Sequence, residues 1–371
     1  MPLVAILCEY PTLNGGERSM LSTLDGLRAA GFELVALAPP TGQLADALRR
    51  RGVEVAPLNL RDDRGKRLPQ AAARAELANV LQRLRPALLH ANSLAMGRLS
   101  GPVAAELGLP SIAHLRDIIG LSGQAAADLN RHARLLAVSQ ATRDAHVAQG
   151  LTAERVHVLY NGVDLERFQP RQPTGRLHAE LGLPPDAMLA ATIGQIGLRK
   201  GQDVLLRAAA ALANSWPNLH YLIIGQRFSG KDESRQYATG LEAAAEQLGG
   251  RVHFLGPRDD VDRLLNELTL LAHPARQEPL GRVLLEAAAA GVPVTATDVG
   301  GTREIFPPEA QAALLVPSDD ACALAAAIGR LVGDRRLRDA LSQSARRRAE
   351  EAFDVRRAAA ALVRHYQAVL D

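Results

Sequence analysis

Short apolar segments alternate with alanine- and leucine-rich helical ones along this 371-residue chain, and the alternation is interrupted once. The first half carries LVAILC, FELVALA, VEVAPL, ALLHAN, SIAHL, RLLAVS and VHVLYN, separated by stretches such as LPQAAARAELANVLQRL. Brief apolar strands with helices between them are the signature of parallel β-α-β units, buried on both faces. At residues 170–186 (PRQPTGRLHAELGLPPD) the pattern dissolves into Pro and Gly, then restarts with MLAATIG, LHYLIIG, VHFLG, LTLLAHP, PVTATD and AALLVP. The expectation is an α/β chain of two doubly wound, parallel-sheet domains of similar size, joined near residue 175. Residues 319–371 read as helical throughout. At ~100–200 residues per domain the length fits the same division. Open α/β sheets bind ligands outside the carboxyl ends of their strands, so the residues that follow strands carry the functional reading.

Composition narrows the partners. The net charge is +3 and the isoelectric point about 9.1, mildly basic and compatible with an anionic ligand. Aromatic residues are 3% of the chain, too few for a base-stacking surface, so nucleic acid is not expected. No apolar run approaches the ~18 residues of a membrane span, and the amino terminus lacks a basic n-region and a cleavage site. Cys8 and Cys322 show neither metal spacing nor a disulfide framework. A cytoplasmic protein is expected. Basic runs at 49–51, 64–67 and 346–348 offer weak contact with an anionic membrane at its inner face, although solvated helix ends account for them equally simply. Arginine far outnumbers lysine; the lysines are Lys66, Lys200 and Lys231.

Four stretches after strands stand out. NGGERS places Gly15 and Gly16 at a helix start, where backbone N–H groups can approach a phosphate or sugar; a bare tight turn is the competing account. SIAHLRD ends a strand with His114, Arg116 and Asp117, and a histidine there is either structural or a substrate hydrogen-bonding group. IGQIGLRKGQ puts Gly194, Gly197 and Gly201 in a loop, with Arg199 and Lys200 ahead of a helix, a charge pattern suited to a diphosphate. HPARQEPLGRVLLEAAAAG holds Glu278 and Glu286, eight positions apart. Pro279 and Gly281 should keep Glu278 outside the helix that contains Glu286. The helix start near Gly281 and Arg282 then faces phosphates between two carboxylates that accept hydroxyl hydrogen bonds. An Arg282–Glu286 pair on a helix surface is the plainer alternative.

Taken in order along nearly the whole chain, these stretches resemble the retaining, nucleotide-sugar-dependent glycosyltransferases of the GT-B fold, the group 1 or family 4-like enzymes. The segments AVSQATRDAHVAQGLTAERVHVLYNGVDLERFQP, VHFLGPRDDV and the E-x7-E element EPLGRVLLE extend the match. The resemblance implies two Rossmann-like domains facing across a cleft. It implies an acceptor-side domain at 1–172, a nucleotide-sugar domain at 173–353, and a terminal helix, 354–371, that returns to the first. It implies His114, Lys200 and Glu278 as catalytic residues. Donor-binding positions are implied at Gly16, Gln195, Arg199, Lys200, Glu278, Pro279, Leu280, Gly281, Arg282 and Glu286. Within that set, Glu278 takes the sugar hydroxyls, Glu286 the ribose and Lys200 the diphosphate. Gln195 stands where the family commonly has an arginine, and Arg199 is the candidate to compensate. The partners implied are a nucleoside-diphosphate sugar and a hydroxyl acceptor, with no metal or other cofactor required.

Two motifs compete with this reading. Asp260-x-Asp262 spells a metal-binding D-x-D but fits the acidic first turn of a helix. Gly225, Gly230 and Lys231 spell G-x-x-x-x-G-K, one residue short of a P-loop. Asp232 replaces the Ser or Thr that would hold magnesium, and Glu233 adds a second acid beside the phosphates, so a variable loop is expected. Epimerases or hydrolases on the same fold lack the E-x7-E spacing. A non-catalytic sugar-nucleotide or membrane-surface module is the remaining alternative.

Overall fold

Every apolar segment named above becomes a parallel strand. In a computed structural model describing residues 1–62 and 64–371, β1 (Leu3–Leu7), β2 (Glu33–Ala38), β3 (Glu54–Pro57), β4 (Leu88–Ala91), β5 (Ser111–Leu115), β6 (Arg134–Ala137) and β7 (Val156–Val158) form one sheet. Its order is β3-β2-β1-β4-β5-β6-β7. A second sheet contains β8 (Met188–Ile193), β9 (Leu219–Ile224), β10 (Val252–Gly256), β11 (Leu270–His273), β12 (Val294–Thr297) and β13 (Leu314–Val316), in the order β10-β9-β8-β11-β12-β13. Strand order reverses between β1 and β4 in one sheet and between β8 and β11 in the other. These are the switch points where doubly wound sheets open a crevice.

Both faces of each sheet are covered. Ala5 and Leu7 enter one apolar core while Val4, Ile6 and Cys8 enter the opposite one, the period of two that a strand imposes. In the second sheet Ala190 packs on one side, and Leu189 and Ala191 on the other. Cys8 is buried and Cys322 exposed, and both are free thiols.

The chain divides into Met1–Gly162 with Val355–Asp371, and Val163–Asp354. The first boundary therefore lies ahead of the 172/173 division read from the sequence. Residues 163–171 are bonded to the second unit. The Val163 N–H donates to the Phe353 carbonyl (2.7 Å), Arg346 Nη1 to the Phe168 carbonyl (2.9 Å) and the Arg171 N–H to Asn266 Oδ1 (2.6 Å). The second boundary shifts by one residue from 353/354. At the crossing, a Cβ on Gly162 would lie 2.4 Å from Val355 Cα, so the two passing segments need a glycine there. The Pro- and Gly-rich stretch is not bare linker: it contains a short helix, Arg176–Leu181, bracketed by Gly175 and Gly182 at φ +74° and +64°.

The helical terminus is three helices, Ala321–Gly333, Arg335–Ala352 and Val355–Leu370. Asp334 separates the first two by capping the second, accepting from the Leu337 N–H at 3.0 Å. The last helix packs in the first unit, with Leu362 and Tyr366 buried in its core. In the 346–348 run, Arg346 and Arg348 donate to backbone carbonyls of Phe168, Ala289 and Glu304, so two of its three arginines are structural. Among the described residues no helix is long and apolar enough to cross a membrane.

Candidate active site

In the second unit, two loops flank the switch point. One runs from the end of β8 through Gly194–Gly201 into the helix Gln202–Leu212; the other runs from the end of β11 through Pro274–Gly281 into the helix Arg282–Ala289. They are fastened to each other. The Arg199 carbonyl accepts from the Arg276 N–H (2.9 Å), and Arg199 Nη1 donates to the Gln277 carbonyl (3.1 Å). The Arg276 guanidinium reaches back to the Leu198 carbonyl (2.8 Å) and both Asp203 oxygens (2.8 and 2.7 Å). Gly201 sits at φ +66°, and a Cβ there would lie 1.9 Å from the Pro274 carbonyl oxygen. Only glycine supports both the conformation and the approach.

This clamp brings Lys200 to Glu278. Lys200 Nζ lies 2.5 Å from Glu278 Oε2, and His273 Nε2 lies 2.7 Å from the same oxygen. The side chains of Lys200 and Glu278 are 14% and 6% exposed. Burial would raise the Glu278 carboxyl, but the Lys200 charge and the His273 hydrogen bond outweigh it and hold the carboxyl well below the ordinary range. Burial pushes His273 below its ordinary value, so the ring is neutral and donates Nε2–H to the carboxylate. The other carboxylate oxygen accepts no hydrogen bond among the described residues.

Past Glu278 the chain buries Pro279 and Leu280 and turns at Gly281 (φ +97°) into the helix. Arg282 Nη2 and Glu286 Oε1 are 2.7 Å apart, the i,i+4 pair that the sequence offered as its plainer alternative. Glu278 is thus outside the helix and Glu286 within it, as the Pro and Gly spacing predicts. Gln195 is exposed, and its carbonyl accepts from Gln202 Nε2 at 3.0 Å.

Gly16 and His114 belong to the first unit. Arg116 connects them. A Cβ on Gly16 would lie 3.0 Å from Arg116 Cδ, and Arg116 Nη2 lies 3.2 Å from His114 Nδ1. Arg116 is itself held by the Asn92 carbonyl and Oδ1 (both 2.9 Å) and by Asn161 Oδ1 (3.0 Å), which also accepts from Ser19 Oγ at 2.6 Å. His114 is 4% exposed at the end of β5, beside β4 and the reversal of strand order.

The competing motifs resolve differently. Asp260 pairs with Arg258 (2.9 Å) and Arg176, and Asp262 with Arg167 (3.0 Å) and Arg171 (3.6 Å). The G-x-x-x-x-G-K stretch does join a strand to a helix, Asp232–Glu246. Yet Gly225 is explained by packing: at φ +137°, a Cβ would lie 1.9 Å from the Gly194 carbonyl oxygen. The Gly230 carbonyl accepts from Arg235 Nη1 (2.6 Å), Arg235 also pairs with Asp232, and Lys231 is exposed.

Residues that the sequence reading passed over are His273, Arg276 and His90. His273 carried the signal that singled out His114, a histidine closing an apolar strand. Arg276 is visible only once Asp203, 73 positions away, is beside it.

Comparison with known proteins follows the same two halves. Residues 174–348 match the family model for glycosyl transferases group 1, and residues 13–167 that for glycosyltransferase family 4. A D-inositol 3-phosphate glycosyltransferase of Corynebacterium urealyticum is 32% identical over 58% of this chain and 52% of its own length. One from Streptomyces scabiei is 29% identical over 78% of this chain and 71% of its own. The chain spans about half the length of the first curated relatives it matches. Among solved structures, Anabaena HepE in complex with UDP-glucose superposes with a TM-score of 0.87, covering 99% of this chain and 100% of that one at 22% identity. That likeness establishes the GT-B fold.

Proposed function

The chain belongs to the group 1 glycosyltransferase family, and from that premise we propose that it transfers a sugar from a nucleoside-diphosphate donor to a hydroxyl acceptor, retaining the anomeric configuration. The observation that carries this reading is the Lys200–Glu278–His273 group at the carboxyl ends of β8 and β11, with Glu278 and His273 buried and Lys200 nearly so. A lysine held in an ion pair beside a switch point puts a cation where a ligand of such a sheet would bind. When a diphosphate enters, Lys200 exchanges Glu278 for phosphate oxygens, a charge-assisted bond worth ~1.5–3 kcal/mol. Glu278, still oriented by His273, then offers its carboxylate to sugar hydroxyls. Arg199 and the Gly281–Arg282 helix start add positive potential on the leaving group. Glu286 turns from Arg282 to the ribose.

The protein's contribution is orientation of the donor and stabilisation of charge on the departing diphosphate. With Lys200 as counter-charge the reaction is proposed to need no metal, so activity should survive EDTA. No carboxylate in either unit is assigned as a covalent nucleophile. Same-face attack, with the departing phosphate taking the acceptor's proton, is the mechanism proposed.

UDP-glucose is the first donor to test, because it is the ligand of the Anabaena structure. A phosphorylated polyol is the first acceptor to test, because the curated relatives act on D-inositol 3-phosphate. A thermal-shift screen of UDP, GDP, ADP and their hexose conjugates checks the reading, since a ligand bound only by the folded state raises Tm. One base series should stabilise the protein with release of its sugar to an acceptor. If no nucleotide shifts Tm, the reading is wrong; binding without turnover favours a sugar-nucleotide binding module.

A further inference from the structure

In the first unit, Tyr366 Oη lies 2.7 Å from His90 Nδ1, and His90 Nε2 lies 2.7 Å from His114 Nδ1. Arg116 Nη2 approaches the same His114 Nδ1 at 3.2 Å. His90 is 1% exposed and Tyr366 fully buried, and Tyr366 comes from the last helix of the chain. A ring nitrogen seen alone does not reveal where its proton sits. Arg116 removes the ambiguity, because a guanidinium only donates. His114 Nδ1 therefore carries a lone pair. His90 Nε2, facing that lone pair, carries a proton. His90 Nδ1 is then bare and accepts from the Tyr366 hydroxyl.

Both rings are neutral. Burial, then the Arg116 charge, lowers His90 to about 3 and His114 well below its ordinary value. A neutral His114 with a bare Nδ1 has its one proton on Nε2, and Nε2 makes no hydrogen bond among the described residues. The arrangement is opposite in sense to a histidine whose Nδ1–H is held by a carboxylate: there Nε2 is free to take a proton, here it can only give a hydrogen bond.

We infer that Tyr366 and His90, together with Arg116, are positioning residues that fix His114 as an Nε2–H donor to a substrate oxygen and bar it from acting as a general base. The last helix thus supplies the outer end of a relay to a catalytic side chain. The inference rests on the proposed role of His114 in sugar transfer, and its first test is independent of activity.

That test is the long-range proton–nitrogen NMR spectrum of the whole chain labelled with 15N-histidine, with His114 assigned by its loss in His114→Asn. The expected result is a bare Nδ1 and protonated Nε2. A proton on Nδ1, or a doubly protonated ring at neutral pH, overturns the inference. The second test is a matched pair at position 90. In His90→Gln the amide still donates to His114 while its oxygen accepts from Tyr366, so the Nε2–H tautomer and turnover within a few-fold of wild type are expected with UDP-glucose. In His90→Glu the carboxylate only accepts and draws the Arg116 Nη2–H away from His114 as well, so the His114 proton moves to Nδ1. The turnover number then falls on the order of 10–100-fold with little change in KM. Equal turnover and equal tautomers in the two variants overturn the inference. Should His90→Glu not fold, Tyr366→Phe replaces it: the His90 tautomer stays, set by His114 and Arg116, while the His90 Nδ1 resonance moves toward that of a bare nitrogen that accepts no hydrogen bond, and an unchanged His90 spectrum contradicts the relay. The expected tautomer in a protein that neither binds nor turns over any sugar nucleotide upholds the relay and refutes the transfer reading.

Discussion

Two loops of the second unit are spelled alike and do different things. Residues 194–201 and 225–231 each leave a strand through a glycine with positive φ, and each carries a lysine ahead of a helix. The strands, β8 and β9, are neighbours in one sheet. What separates the loops is sheet order. The end of β8 borders β11, where the order reverses, so its loop meets the 274–281 loop and Lys200 finds a buried carboxylate. The end of β9 lies between β8 and β10, away from the reversal, and Lys231 is exposed beside Asp232 and Glu233. Local spelling suggests a phosphate loop in either place; topology supplies the second wall of a site in only one.

Glycine substitutions separate the two loops most strongly. Gly201→Ala drives a Cβ into the Pro274 carbonyl and holds alanine at φ +66°. The expected loss is on the order of 3 kcal/mol or more by chemical denaturation. A Cβ added at Gly230 would meet nothing within 4 Å, so Gly230→Ala should stay within about 0.5 kcal/mol of wild type.

Next in size is the ion pair. Glu278→Gln keeps the shape and leaves Lys200 without a counter-charge, at a cost of about 3 kcal/mol at neutral pH. The sign of its pH dependence follows from the depressed carboxyl. Glu278 has a lower pKa folded than unfolded, so its stabilisation is complete above the ordinary value of 4.5 and is lost as pH falls through the folded value. Denaturation curves of wild type and Glu278→Gln should therefore stay apart at neutral pH and converge only in acid. A gap that persists unchanged to low pH would assign the cost to packing instead of charge.

The fold was legible because the alternation of apolar and helical segments repeats often enough to define both sheets. The boundary at Gly162 was not, because residues 163–171 are assigned by bonds to Asn266, Arg346 and Phe353, far away in sequence. Within the site, Pro279 and Gly281 correctly divided Glu278 from Glu286. The contact between Lys200 and Glu278, across 78 positions, needed the order of the strands. His90 is one polar residue inside an apolar strand, and only the pairing of β4 with β5 and the return of the last helix disclose its neighbours.

A smaller effect sharpens the contrast between the two carboxylates. Glu286→Ala should weaken binding of the nucleoside diphosphate about 5–10-fold, roughly 1–1.4 kcal/mol in titration calorimetry, while Glu278→Gln chiefly lowers turnover of the intact donor. Unchanged nucleotide affinity in Glu286→Ala would leave Glu286 as a helix-surface partner of Arg282 and nothing more.

Lys200, and not Lys231, is the lysine proposed to meet the donor diphosphate. The direct measurement is the turnover of the nucleotide sugar that gives the largest Tm shift, compared between Lys200→Ala and Lys231→Ala at matched folded fractions. A loss on the order of 10–100-fold is expected for Lys200→Ala, and turnover within a few-fold of wild type for Lys231→Ala. The reverse ranking, above all with a nucleoside triphosphatase activity that disappears in Lys231→Ala, would contradict this assignment.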